Sequence, residues 1–307
     1  MDPHAERPQS TLTRVHKFEL DSGAEIPDQD GRHGSYGSGM SGEAIVEDPS
    51  NPDLFYTFSG VHGRAGTWCV YRLDLRNFDP ASPPSTVAVE RIASVPEVVW
   101  LNGGTMLPQT RTLIMAESYQ GKFVACDVDT GAISTWHQHE WLGKMTTRPP
   151  WPAANGVQYY DRSVYVTNSD RAILLRIKVD EPAGVAVEDS IEILASGVAG
   201  DDLAFDVEGS AYVATNPMQT VLKFEQVARR GARVSGEEGQ RFIVLGGKDN
   251  TETTGPTAVA FGRTKDDQDK LYVVTTGGLI VPVGDGPSEA RVLTVDVGIA
   301  GAVSQDS

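Results

Sequence analysis

Asn102, Asn155, the adjacent pair Asp201 and Asp202, and Thr257 open four similar segments whose starts lie about 46 to 55 residues apart. Side-chain oxygens repeated at one position of a repeat are what a hard cation takes up, because calcium-like ions bind carboxylate and amide oxygens from several loops at once. The same carboxylates could instead move protons. The Asn-Gly pairs at 102–103 and 155–156 have a second reading as turn formers, since both residues tolerate left-handed backbone. Candidates for holding an organic reactant stand nearby in sequence. Trp100 directly precedes LNGG, and Trp151 lies just before Ala154-Asn155. Trp68, Trp136, Trp141, Tyr119, Tyr159 and Tyr160 extend the aromatic set, with packing inside a sheet the alternative for Trp68 and Trp100. His62 and Arg148, on expected loops, are candidate hydrogen-bond donors. Asn168, Asn216 and Thr276, at or just after the ends of second runs, join Thr257 as polar candidates for substrate contact.

The elements that must position these residues are short. The segments are LNGGTMLPQTRTLIMAES from Leu101, ANGVQYYDRSVYVTNSD from Ala154, GDDLAFDVEGSAYVATN from Gly200 and GPTAVAFGRTKDDQDKLYVVTTGG from Gly255. Each holds an apolar run, a turn, and a second run ending in Ser, Thr or Asn. In three of the four an outer run follows, KFVACDV, LLRIKV or TVLKF. Runs of this length between Gly, Pro, Asn and Asp read as strands, and no stretch sustains a helical period. A repeat near 50 residues with several strands per unit is the pattern of a β-propeller blade. The expectation is therefore all-β: a six-bladed β-propeller in one domain over 43–307, with loops converging at one mouth, preceded by a polar arm over 1–42. MTTRPPWPAAN (Met145–Asn155) is too rich in proline for a central strand and reads as a rigid loop carrying Trp151.

Composition narrows the partners. Asp plus Glu total 42 against 26 Lys plus Arg, a formal charge of −16, which repels phosphate backbones and anionic membrane surfaces. No run approaches the 18 apolar residues of a membrane span, and the N-terminus lacks the apolar centre of a signal peptide, so a cytoplasmic protein with no nucleic-acid or membrane partner is expected. Two cysteines, Cys69 and Cys126, are too few for a disulfide framework and read as free thiols. His137 and His139 alternate as on a strand without a third ligand nearby in sequence. GGK at Gly246 lacks phosphate-loop spacing, and the GSGMSG run is not a nucleophile elbow.

ANGVQYYDRSVYVTNSD, DDLAFDVEGSAYVATN and GPTAVAFG with KLYVVTT resemble the SMP-30/gluconolactonase propellers over about residues 100 to 280. That resemblance implies a divalent metal (calcium, zinc or manganese) held by Glu43, Asn102, Asn155 and Asp201, with Glu47 close to the first, and a lactonase or related hydrolase activity. FYTFSG…GTWCVYRLDL, VVWLNGGTML and DDLAFD…AYVATNP look like a group of fungal propellers from secondary-metabolite clusters that includes hetero-Diels–Alderases. This second resemblance implies a stereoselective [4+2] cycloaddition between a tropolone-type quinone methide and an apolar terpene alkene, with no cofactor required. That group lends no catalytic motif; from their places in the repeat and its loops, Asn102, Asn155, Asp201, Asp202 and Arg148 are the expected catalytic set, and His62, Trp68, Trp100, Tyr119, Trp151, Asn168, Asn216, Thr257 and Thr276 the substrate contacts. A third reading is a binding propeller without catalysis.

Overall fold

Short apolar runs closed by Gly, Asp and Asn turns pair with their sequence neighbours as antiparallel strands. The computed structural model describes residues 41–79, 87–108, 110–146, 151–230, 241–248 and 250–302. The first sheet contains β1 (Ser41–Glu47), β2 (Leu54–Gly60), β3 (Cys69–Asp74) and β4 (Ala88–Ser94) in that order. The second contains β5 (Leu101–Met106), β6 (Thr112–Glu117), β7 (Lys122–Asp127) and β8 (Ile133–Gln138). The third has β9 (Ala154–Tyr160), β10 (Ser163–Asn168), β11 (Ile173–Asp180) and β12 (Val185–Ala186), with β13 (Glu192–Ser196) also pairing β11. The fourth has β14 (Leu203–Phe205), β15 (Ala211–Thr215), β16 (Thr220–Phe224) and β17 (Arg241–Gly246), and the fifth β18 (Pro256–Phe261), β19 (Lys270–Thr275) and β20 (Arg291–Asp296).

The described residues thus form five blade-like sheets, and the expected six is corrected to five. The repeat length was read correctly, but the count divided all 307 residues into blades, whereas the strands of the described residues run from Ser41 to Asp296. Among the described residues helix is limited to single turns such as Val227–Arg230. Among the described residues no helix is long and apolar enough to cross a membrane.

Two compact units emerge, one from residues 41–164 with 177–190, the other from 165–176 with 191–302. In the first, Tyr56, Phe58, Trp68, Val70, Leu101, Leu113, Met115 and Cys126 make a continuous core. In the second, Tyr212, Ala214, Val221, Val259, Leu271, Val273, Leu293 and Val295 do the same. The second strands β10 and β15 are covered on both faces, every residue of each being buried, with Ser163, Thr167, Asn168 and Thr215 at or near their ends. Outer strands such as β4 and β8 are largely exposed and carry the polar sequence. Both cysteines are free, Cys69 half-buried and Cys126 buried; burial pushes the Cys126 thiol up to about 12.

Acidic residues fix the hairpins. Asp48 accepts the Ser50 N–H at 2.9 Å and the Tyr56 hydroxyl at 2.9 Å. Asp206 accepts the Ser210 N–H at 2.9 Å and the Tyr212 hydroxyl at 3.3 Å. Asp267 accepts the Thr264 N–H at 2.8 Å and the Tyr272 hydroxyl at 3.0 Å. In three sheets, then, one carboxylate ties the turn to a tyrosine of the second strand, and each of these tyrosines is held above its ordinary pKa by burial and then by its aspartate.

Candidate functional site

Each unit holds its own cluster of candidate residues. In the first unit the β2–β3 connection and the loops before β5 and after β6 assemble an aromatic shelf. The His62 ring lies over Trp100 with centroids 4.5 Å apart, and Trp100 meets Tyr119 at 5.7 Å and a tilt of 44°. His62 and Tyr119 are exposed, and Trp100 is half-buried. Trp68 lies behind them, 1% exposed, donating its indole N–H to the Val99 carbonyl at 3.0 Å. It is a core residue, as the packing alternative expected. Gly60 makes room for it, since a Cβ there would fall 2.4 Å from the indole ring. The Trp100 indole nitrogen is buried and has no hydrogen-bond partner among the described residues, leaving one donor unused beside the shelf.

Charge is arranged at the rim. Glu43 Oε1 sits 2.5 Å from His62 Nε2, and Ser41 Oγ lies 3.0 Å from the same nitrogen. The Lys144 ammonium stands 5.4 Å from the Tyr119 ring centroid and donates to the Trp151 carbonyl, tying the proline-rich loop to the shelf. Beneath, the buried Glu117 carboxylate accepts the N–H groups of Val99 (3.2 Å), Trp100 (3.3 Å), Tyr119 (2.8 Å) and Gln120. Sequence reading passed over Glu117 and Lys144. The available signal was a charged residue closing the otherwise apolar strand TLIMAE.

In the second unit Asp201 and Asp202 lie just before β14. The Asp201 N–H donates to the Ala214 carbonyl at 2.7 Å, the Asp202 carbonyl accepts from Ala214 at 2.9 Å, and the Asp202 N–H reaches the Thr257 carbonyl at 3.1 Å. The pair is therefore locked by backbone between the fourth and fifth sheets. Asn216, 8% exposed, donates its amide to Asp201 Oδ2 at 3.4 Å, while its own Oδ1 is buried without a partner among the described residues. Asp202 is half-buried. Burial pushes it up to about 7, against a downward pull from the Leu203 N–H. It is a carboxyl that can hold or release a proton near neutral pH.

The remaining predicted residues are placed as follows. Neither Asn-Gly pair is a turn: Asn102 lies in the irregular stretch of β5, half-buried, and Asn155 is buried in β9. Gly103 is required because β9 approaches too closely for a side chain, with Asn155 O only 2.2 Å from where a Cβ would stand. Asn168 accepts the Arg171 N–H at 3.0 Å and caps its turn. The Thr276 hydroxyl donates to Gly255 O at 3.2 Å. Thr257 lies in β18, its hydroxyl 3.5 Å from Val274 O. Arg148 falls outside the described residues. Of the implied metal ligands, Glu43, Asn102 and Asn155 belong to the first unit and Asp201 to the second. Glu43 Oε1 faces His62 Nε2 and Asp201 Oδ2 accepts from the Asn216 amide, so one oxygen of each carboxylate is already engaged. Among the described residues no group of three or more His, Cys, Asp or Glu is gathered.

Comparison with known proteins supports the fold. The chain aligns with luciferin-regenerating enzyme over 98% of its length and 96% of that chain, at 15% identity and a TM-score of 0.58. Aldose sugar dehydrogenase from Streptomyces coelicolor, in its PQQ-bound form, aligns over 92% of this chain and 90% of that one, at 13% identity and a TM-score of 0.51. Regucalcin, a calcium-binding protein from Agrobacterium tumefaciens, aligns over 85% and 90%, at 14% identity and a TM-score of 0.50. The class is an all-β propeller. In sequence, the chain is 27% identical over 234 residues to a Phoma sp. protein provisionally named a hetero-Diels-Alderase. The match covers 70% of this chain and 62% of that relative. No protein-family model matches the chain.

Proposed function

We propose that this propeller is a biosynthetic enzyme of the hetero-Diels–Alderase type, joining an oxygen heterodiene to an apolar terpene alkene. The observation that carries the reading is the 234-residue match to the Phoma sp. protein. The chemistry asks little of a protein. One C–C and one C–O bond form, the π bonds shift, and no atom or electron is gained or lost. Holding the reactants in one geometry is worth up to about 7–11 kcal/mol in the best intramolecular cases. A donor aimed at the diene oxygen adds to this as charge develops there. A carboxyl kept protonated by its surroundings, as Asp202 is below about pH 7, is such a donor. Taken by itself, the first unit offers the exposed faces of His62 and Tyr119 as a surface for a planar reactant; Asp202 belongs to the second unit and is a separate candidate.

The test is to supply purified protein with a tropolone-type quinone methide precursor and humulene and follow adduct formation by chiral chromatography. Faster formation of one stereoisomer supports the reading, and racemic adduct at the rate without protein overturns it. A second reading, a lactonase of the gluconolactonase type, is favoured by the same Asp202, because a carboxyl titrating near 7 also suits a general base. Its test is lactone hydrolysis with calcium, zinc or manganese added, alongside elemental analysis of the purified protein. Full hydrolysis by Asp201→Ala and Asp202→Asn variants would remove it.

A further inference from the structure

We propose that Glu117 is a positioning residue for the aromatic shelf, acting through the backbones of Trp100 and Tyr119. The inference rests on reading the shelf as a reactant site. A carboxylate with no exposed surface is costly to bury, and among the described residues no cation pairs with it. What compensates is four backbone N–H groups, from Val99 and Trp100 on one side and Tyr119 and Gln120 on the other. A carboxylate offers about four acceptor sites, so the match of donors to acceptors is complete. Glutamine in its place would turn two acceptor sites into donors facing N–H groups.

The consequence falls on the rings. Leu101 pairs with Glu117 across β5 and β6, so the acid sits at the end of the hairpin where both loops leave. Ser118 extends the tie: its N–H donates to Trp100 O at 2.9 Å, its hydroxyl to Ala154 O at 2.7 Å, and its carbonyl accepts from Ala153 at 3.0 Å. Two loops of different origin, each carrying one shelf aromatic, are thereby fixed to one carboxylate. A buried charge used in this way holds ring positions that apolar packing alone would leave free to slide.

The experiment uses 2-naphthol, a planar phenol, as a probe, its dissociation constant read by tryptophan fluorescence and the fold checked by thermal melting. Glu117→Gln is expected to weaken binding about tenfold, ~1.4 kcal/mol. Trp100→Ala is expected to abolish most of the affinity, and the double variant to be no worse than Trp100→Ala alone, because one residue acts through the other. A folded Glu117→Gln protein that binds as the parent does, or a double variant whose losses add, overturns the proposal. If Glu117→Gln fails to fold, Glu117→Asp, charged but too short to reach both loops, takes its place with the same expected loss. Hydrogen exchange on the unaltered chain is a further arm: the amides of Val99, Trp100, Tyr119 and Gln120 are expected to be protected as a group, and exchange at free-loop rates overturns the proposal. Failure of the parent to bind 2-naphthol removes the shelf as a reactant site and the proposal with it. Cycloaddition plays no part in any of these readouts, so their failure is separable from failure of the proposed reaction.

Discussion

A carboxyl that titrates near neutrality makes the reaction class readable from a pH profile. If Asp202 donates a hydrogen bond to a heterodiene, only its protonated form works, and cycloaddition falls as pH rises through about 7. If it is the general base of a hydrolase, the ionised form works, and hydrolysis rises through the same value. The two limbs run in opposite directions, so rates measured between pH 5 and 9 decide between them. Asp202→Asn is expected to flatten the profile in either case. Under the first reading it keeps a donor and loses only part of the rate, roughly tenfold or less, whereas under the second it removes the base and costs about 10²–10⁴-fold. A profile that still breaks near 7 in the Asp202→Asn variant would move the titration to another group.

At the scale of the element, the polar residues that end the second strands turn out to be ties between neighbouring sheets. The Ser118 hydroxyl bonds Ala154 O at 2.7 Å, the Ser169 hydroxyl bonds Gly200 O at 2.6 Å, and Gln219 Oε1 takes the Gly255 N–H. The first two links join the residue after a second strand to the segment that opens the next sheet, and the third runs from the turn between β15 and β16 to the residue before β18. The repeat was legible because strand length and turn chemistry are local and recur. What those residues bond was not, because the partner lies about 31 to 36 residues away. The same limit hid Glu117, whose donors arrive from two loops, and the role of Gly103, for which the sequence offered a turn only as an alternative and which instead lets β9 approach. Ser118→Ala and Ser169→Ala are expected to lose about 1 kcal/mol each, the net worth of one hydrogen bond. Gly103→Ala meets a backbone carbonyl that cannot rotate away, so its loss should reach the upper end of the about 1–3 kcal/mol seen for overpacking. Urea midpoints at constant slope measure all three, and a Gly103→Ala protein as stable as the parent would mean the two strands can separate without cost.

At the scale of the whole molecule, two kinds of carboxyl set the stability against pH from opposite sides. Asp48, fully buried, feels burial pushing it up, but the Ser50 N–H, Arg111 and the Tyr56 hydroxyl more than offset this and hold it below its ordinary value. Its contribution is present above the unfolded value near 3.8 and is lost as pH falls through the lower folded one. Asp202 works the other way. Its folded pKa of about 7 exceeds the unfolded 3.8, so the favourable contribution of its proton is complete below 3.8 and disappears as pH rises toward 7. The formal charge of −16 adds self-repulsion in the same direction as the remaining acids ionise. Melting temperature is therefore expected to peak in mildly acidic buffer, near pH 5, and to decline both below 4 and toward 7. Salt separates the terms on the upper side, because screening weakens diffuse repulsion but leaves the desolvation of a buried carboxyl nearly unchanged. In high salt two groups act between pH 5 and 7: Asp202 lowers stability as it ionises, while His137, held below its ordinary pKa by burial, raises stability as it loses its proton; Asp202→Asn should remove the falling part while leaving the acid limb in place. Asp48→Asn should do the reverse, with a loss of stability that is largest at neutral pH. An Asp202→Asn protein whose melting temperature follows the parent's at every pH from 5 to 8 would show that Asp202 ionises freely in the folded chain, and would remove the ground for giving it either catalytic role.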